Sequence, residues 1–339
     1  MRYLFLSIAP LHIVLFFVKS FYINLETVLK KLLCFLMVIF VMSSCVSNKT
    51  EKKMTIPVLS PRTGGSIRQL SHYLPSLKKS PGDTTVYVLD SKAAGPSMLI
   101  VAGVHGNELS GIRAAEIFVK MAVVEKGKVF VIPHLNKPGF FAGSRNVPPE
   151  YQGVPDPDLY TPPGGTVQQL EGIEQRNINR AYPGSDDMGL AQKIALAVMN
   201  LIISENVKIA FDLHEAPPSS YLAWMIISNP KHTHVVSGAV LDLEAQGIIM
   251  KKEVSSKNSG LSHREWGDRT QTFAFLIETA DPQMSSDPSP YIDDPKYTLE
   301  RRSLIQLETI RHLVANSNKF LSAPLIFSGI PVYSENSSL

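Results

Sequence analysis

The chain has 339 residues, 44% hydrophobic and 19% charged, which is ordinary for a folded globular protein and enough for one large domain or two small ones. Four of its 33 basic residues and one of its 30 acidic ones lie in residues 1–44, so the remainder carries 29 of each and is neutral, with no basic stripe of interleaved aromatics to suit nucleic acid. Both cysteines, Cys34 and Cys45, fall in the N-terminal segment, which excludes a disulfide framework or a thiolate metal site from the rest and leaves His and carboxylates as the only strong metal ligands.

Lys30-Lys31 precedes an apolar run from Leu32 to Val41, then Met42-Ser43-Ser44-Cys45. A charged segment, a short apolar core and small residues are the parts of a signal peptide. The pattern resembles a bacterial lipobox with cleavage before Cys45 and lipid on its sulfur. A transmembrane anchor with an incidental Cys is the alternative, but the apolar run is short for a span. A second apolar stretch, Tyr3 to Val18, is explained by a start site placed too early, so that 1–27 is not translated, or by an extra membrane helix. Residues 1–44 are thus expected to be a targeting segment, 45–60 a polar, Lys-rich tether, and 61–339 the folded domain. The expected location is the cell envelope, lipid-anchored outside the cytoplasm.

Within the folded part, Thr84 to Leu89 is β-rich and predicts a strand, and Met98 to Val101 predicts the next. The spacing of Leu109, Ile112, Ala115, Ile117, Phe118 and Met121 predicts a helix over 107–124. Val129 to Ile132 reads as a strand ending at Pro133. Residues 136–185 are dense in Pro and Gly, and a loop this long inside a compact domain is usually functional or disordered. A helix is predicted over 186–204, strands over 207–213 and 221–227, a helix over 234–246, a strand over 272–277 and a closing helix over 296–320. His263 and Arg264 fall in a Gly/Ser-rich segment that reads as a mobile loop able to carry substrate contacts. Strands alternating with helices make this an α/β fold, a single mixed sheet flanked by helices. In such sheets sites gather beyond the carboxyl ends of strands, and His105, His214 and Glu278 each sit just past one.

His105, Glu108 and His214 form a His2Glu set. Three protein ligands and an open fourth position suit a single catalytic zinc, whose bound water ionises near pH 7. Glu278 is the nearby carboxylate that would take that water's proton and pass it on. Each part alone has a plainer reading: Glu108 as a first-turn helix acid, Glu278 as a structural ion-pair partner. His134 follows a strand and either lines the site or is a structural histidine.

The stretch Val101 to Glu108 (VAGVHGNE) resembles the zinc motif of the carboxypeptidase-A-like superfamily, in its succinylglutamate desuccinylase/aspartoacylase branch. Four further segments match in order. Leu135 to Phe140 followed by Arg145 resembles the branch's Asn-Pro-x-Gly…Arg segment. Asn177 to Gly184 resembles Asp-Leu-Asn-Arg-x-Phe-Pro-Gly, with Asn177 in place of the Asp. Phe211 to Glu215 resembles the Asp-Leu-His strand, and Phe275 to Thr279 the strand with the catalytic Glu. The resemblance spans roughly residues 84–320. It implies that His105, Glu108 and His214 bind zinc, that Glu278 is general base and acid, and that Arg145 polarises the scissile carbonyl, with Arg176 a nearby competitor for a substrate role. It implies that Asn179 and Arg180 bind a substrate carboxylate. Asp212 is a plausible partner for His214 if its side chain turns inward.

Two departures stand out. No Tyr lies between Tyr221 and Tyr291, whereas digestive carboxypeptidases carry one shortly before the catalytic Glu. Too few residues follow Glu278 for the C-terminal β-domain of aspartoacylase-like members, so none is expected. The function these features imply is zinc-dependent hydrolysis of an amide bond next to a free carboxylate, in an N-acyl amino acid or a peptide. The alternative is a non-catalytic binding lipoprotein that keeps the fold.

Overall fold

A computed structural model describes Ile56 and residues 58–62, 64–153, 159–160, 168–169 and 172–334. The targeting segment, Cys45 and most of the tether lie outside these residues. No helix among the described residues is long and apolar enough to cross a membrane.

In chain order the strands are β1 (Gly65–Gln69), β2 (Thr85–Asp90), β3 (Ser97–Ala102), β4 (Val123–Lys126), β5 (Lys128–Ile132), β6 (Leu159–Tyr160), β7 (Gln168–Gln169), β8 (Val207–Ala216), β9 (Met225–Ser228), β10 (Lys251–Val254), β11 (Phe273–Ala280) and β12 (Ile326–Ser328). The helices are α1 (Leu109–Met121), α2 (Lys137–Ala142), α3 (Pro149–Gln152), α4 (Leu190–Ser204), α5 (Thr233–Glu244), α6 (Ser262–Arg269) and α7 (Leu299–Asn318). Eight strands form one mixed sheet in the order β1-β2-β5-β3-β8-β11-β9-β10, and β12 pairs with β4 apart from it. The central strands β5, β3, β8 and β11 are mutually parallel. Both of their faces are covered, so they read as continuous apolar runs rather than alternating ones. Along β3, Met98, Ile100 and Ala102 join a core with α1, α5 and α7, while Leu99 and Val101 join a second core with α4 and Trp266 of α6.

Element ends differ from the sequence expectation where tertiary contacts take over. The first helix stops at Met121 because Val123–Lys126 pairs with β12. The helix expected from Asp186 begins at Leu190, and the strand expected from Tyr221 begins at Met225. The segment carrying His263 and Arg264 is helix α6, not a loop. Its buried residues are Ser262, His263, Glu265, Trp266 and Gly267, mostly polar groups, so no apolar stripe announces it.

Trp266 anchors that helix. It is fully buried and meets Tyr182 edge-on, with ring centroids 5.5 Å apart. Removing a buried ring of this size costs about 3–5 kcal/mol. Trp266→Ala should therefore lower the unfolding free energy from urea titration by that amount; a loss under about 1 kcal/mol would show that α6 is not held this way.

Candidate metal centre and active site

The site is assembled from three loops and two strand ends. After β3, Gly103 takes a left-handed φ of 65° and turns the chain across the sheet edge. Gly106 then lies flat against α2: a Cβ there would stand 2.2 Å from the carbonyl carbon of Gly139. Buried Asn136 caps α2 by accepting from Gly139 N at 3.0 Å, and Gly143 closes it with φ 61°. The chain returns so that Arg145 O accepts from Gly106 N at 3.1 Å and from Asn136 Nδ2 at 3.2 Å. Glu108 occupies the N-cap of α1 with extended backbone but makes no capping bond, which leaves its carboxylate to the site.

His105, Glu108 and His214 converge with ligand atoms within 4.8 Å of one another. Each is about 1% exposed. Glu108 Oε1 lies 2.8 Å from His105 Nδ1, Glu108 Oε2 lies 2.8 Å from His214 Nδ1, and the two Nδ1 atoms are 3.1 Å apart. The outer ring nitrogens are held from behind. His105 Nε2 meets Asn177 Oδ1 at 3.1 Å and His214 Nε2 meets Asp212 Oδ2 at 3.0 Å. An acceptor on each outer nitrogen fixes the proton there and turns the Nδ1 lone pair inward, the tautomer a metal ligand needs. Tetrahedral zinc with bonds of about 2.0–2.1 Å to nitrogen requires ligand atoms about 3.3 Å apart, so this donor set fits the ion.

The electrostatics follow from burial and mutual contact. Burial alone would raise Glu108, but the charges of His105 and His214 outweigh it and hold the carboxyl well below its usual range. Burial lowers His105. It would also lower His214, but Asp212 and Glu108 raise that ring well above its usual value. Glu278 lies on β11 directly beside His214 on β8 and is 7% exposed, with Oε2 making no hydrogen bond among the described residues. Burial pushes its carboxyl up to about 8, against the pull of His214.

Arg145 places Nη1 2.6 Å from Glu108 Oε1 with 45% of its side chain exposed, at the open side of the cluster. Asn179 accepts from Ser262 N at 2.9 Å through Oδ1 and turns Nδ2 toward His214 Nε2 at 3.5 Å. Arg180 donates to Asn179 O at 2.7 Å, and its guanidinium is lowered by burial, with Glu174 opposing and the charge of Arg145 adding to the effect. These residues surround one centre. Arg176 is turned elsewhere: Nη1 donates to Val147 O at 2.7 Å, and its own carbonyl accepts from Val147 N. Glu215 faces the other side of the sheet, paired with Arg302 at 2.5 Å. His134 packs edge-on to Phe140 rather than joining the cluster.

Two participants escaped the sequence reading, and a third, His263, was expected on a loop rather than buried in a helix. Asn177, noted only as a departure from the motif, is the residue that holds His105. Ser262 donates through Oγ to Asp212 Oδ2, the same oxygen that holds His214. His263 is fully buried near the charges of Asp212, His214 and Arg180, and neither ring nitrogen finds a partner among the described residues. The motif spacing gave no sign of the last two, because α6 lacks an apolar period.

Burial pushes the imidazole of His263 down to about 3 and those of His134 and His232 to about 4. These rings stay neutral in the folded chain, but the unfolded chain takes up their protons near pH 6.5. Their contribution to stability is complete above pH 6.5 and is lost as the pH falls, at about 1.4 kcal/mol per pH unit for each ring until its folded pKa is reached. Urea midpoints measured from pH 8 to pH 5 should decline accordingly, and His263→Phe should take one proton's share out of the slope. A slope indifferent to that replacement contradicts a neutral, buried His263.

A family model for the succinylglutamate desuccinylase/aspartoacylase catalytic domain matches residues 94–282, more than half of the chain and every residue of the cluster. Among curated proteins, N-alpha-acetyl-L-2,4-diaminobutyric acid deacetylase from Halomonas elongata is 27% identical over 125 residues, which is 36% of this chain and 29% of that relative. Two solved structures align with a TM-score of 0.50: the product-bound ectoine utilization protein EutE (DoeB) from Ruegeria pomeroyi, at 17% identity, and a succinylglutamate desuccinylase from Silicibacter sp. TM1040, at 16%. Each alignment covers 74% of this chain and 64% of the other, and at these identities the likeness is one of fold. By the extent of the family match, the chain belongs to the succinylglutamate desuccinylase/aspartoacylase family.

Proposed function

We propose that the chain is a zinc-dependent hydrolase of an amide bond that lies next to a free carboxylate, in an N-acyl amino acid or a peptide. The observation that carries this reading is the buried His105–Glu108–His214 cluster, with both outer ring nitrogens held by acceptors and the Glu278 carboxyl beside it. The family membership and the deacetylase name of the Halomonas relative support amide hydrolysis.

Zinc on His105, Glu108 and His214 would supply an ionised water near neutral pH and polarise the scissile carbonyl. The chain's own groups do the rest. Glu278, with its carboxyl pushed up to about 8, is matched to taking a proton near neutrality and returning it to the departing nitrogen. Arg145 presents a half-exposed guanidinium at the open side of the cluster, where it would meet charge growing on the carbonyl oxygen. Arg180, also half-exposed, offers a planar fork for the substrate carboxylate. Asn177 and Asp212 keep the two imidazoles in the required orientation. Arg176 braces the loop through Val147 and has no direct part.

The run from Lys30 to Cys45 supports an envelope location with a lipid on Cys45. That location would put peptides within reach more readily than cytosolic N-acyl amino acids.

The purified protein should hold one zinc per chain, and His214→Ala should lose it. Glu278→Gln should keep the metal and the fold while kcat falls by about 10²–10⁴. Metal analysis that finds no zinc, or a Glu278→Gln protein as fast as wild type, would remove this reading.

A further inference from the structure

Each histidine of the cluster is backed by two groups in line, and the two lines are built in opposite order. Behind His214 a carboxylate touches the ring: Asp212 Oδ2 lies 3.0 Å from His214 Nε2, and Ser262 Oγ donates to that same oxygen. Behind His105 an amide touches the ring and the carboxylate stands behind the amide. Asn177 Oδ1 lies 3.1 Å from His105 Nε2, and Asn177 Nδ2 donates to Glu174 Oε2 at 2.8 Å. The two carboxylates also differ in their surroundings. Asp212 is sealed from solvent, whereas the Glu174 side chain is 40% exposed.

An amide can present either its oxygen or its NH2 end to a neighbour. Only the oxygen suits His105, because Nε2 must carry the proton if the Nδ1 lone pair is to face a metal. Two contacts select it. Asn179 N donates to Asn177 Oδ1 at 3.0 Å, and the carboxylate of Glu174, which only accepts, takes the NH2 end. The chain holds Glu174 in place for this: it lies in the 3-10 helix Gly172–Arg176, where Asn177 N donates to Glu174 O at 3.1 Å. A carboxylate at position 177 itself would add a third buried negative charge to those of Glu108 and Asp212, which is costly. Glu174 instead keeps its charge where water reaches it, and the hydrogen-bonded amide is polarised in the same sense. We propose that Glu174 is a positioning residue for the metal centre: through the Asn177 amide it keeps the His105 proton on Nε2, and so sets how tightly His105, Glu108 and His214 hold their ion. The inference rests on the metal reading of the cluster given above and on no feature of the substrate.

Zinc dissociation constants, measured by chelator competition on the purified protein, carry the test. Glu174→Ala should weaken zinc about tenfold, the lower end of the range for a partner behind a metal ligand. Glu174→Gln should recover part of the loss, because its carbonyl still accepts from Asn177 Nδ2. The exchanged pair E174Q/N177D puts the carboxylate directly on His105 with an amide behind it, and should bind zinc at least as tightly as wild type. Cobalt in place of zinc reports on the same centre: its visible spectrum should change in Glu174→Ala and return in the exchanged pair. Melting temperatures of the metal-free proteins show whether each variant folds, and if Glu174→Ala does not, the exchanged pair and Glu174→Gln decide. Unchanged zinc affinity in Glu174→Ala overturns the inference and leaves Glu174 as a neighbour of Arg180 Nε, 3.5 Å away, with effects on KM alone. An exchanged pair as weak as Glu174→Ala overturns it too, since the charge then does not act through His105. A protein that binds zinc but cleaves no amide defeats the hydrolase reading while these affinities still decide this one, and a wild type that binds no zinc overturns both.

Discussion

Glu108 is a carboxylate sealed almost completely from solvent at the edge of the sheet, and an isolated charge in such a place costs several kcal/mol. It is tolerated because the guanidinium of Arg145 and the backbone N–H of Glu215 donate to it, while Nδ1 of His105 and Nδ1 of His214 face it at 2.8 Å, where a shared cation would complete its compensation. Those groups come from the loop after β3, from β8 and from the chain beyond α2. Withdrawing one leaves the charge partly uncompensated, a loss of about 3–5 kcal/mol for a broken buried pair. The strand register, the first turn of α1 and the α2 loop are therefore all answerable to one side chain.

The sheet meets this demand by using both faces of β8. Successive side chains alternate, so His214 and Asp212 face the cluster while Glu215 faces the opposite layer. There Glu215 accepts from Ser110 N at 2.8 Å and pairs with buried Arg302, which also reaches Asp281 at 2.9 Å. Gln306 donates to His214 O at 3.0 Å from the same helix. Helices α1 and α7 thus clamp the strand from behind at the residue that must be placed most accurately. The rigidity of the site is supplied by a polar layer on the far side of the sheet as much as by the contacts around the cluster.

How much of this was legible in the sequence depended on where the signal was local. The parallel strands declared themselves as apolar runs; His105 follows the end of β3 as expected, while His214 and Glu278 lie within β8 and β11, two residues short of their ends, because the pairing of those strands runs past both residues. The edge strands did not declare themselves. Lys251 to Val254 and Gly65 to Gln69 are mostly exposed, so neither carries the alternation that marks a strand, and their charges fit the guarding of an open edge. Helix α6 was unreadable for a different reason: it is held by Trp266 and by polar bonds such as Ser262 N to Asn179 Oδ1, partners 83 residues apart in the chain. What Asn177 and Arg176 touch was not legible either, because a motif shows which residue types occur together and not which way each side chain turns.

The packing of Gly106 on α2 carries a consequence for how such a site changes over generations. A methyl at Gly106 would strike the Gly139 backbone, and one at Gly139 would strike the amide of Asn136, 2.3 Å away. At Gly111 it would meet Leu213 on β8 at 2.8 Å. Three segments far apart in sequence are therefore welded at points with no spare volume. None can drift alone, since an accepted change in one needs a matching change in another at the same time. Variation is channelled instead to the half-exposed rim, where charges can be exchanged without disturbing the weld. The chemistry is inherited as a block, and the choice of substrate is the part left free to diverge.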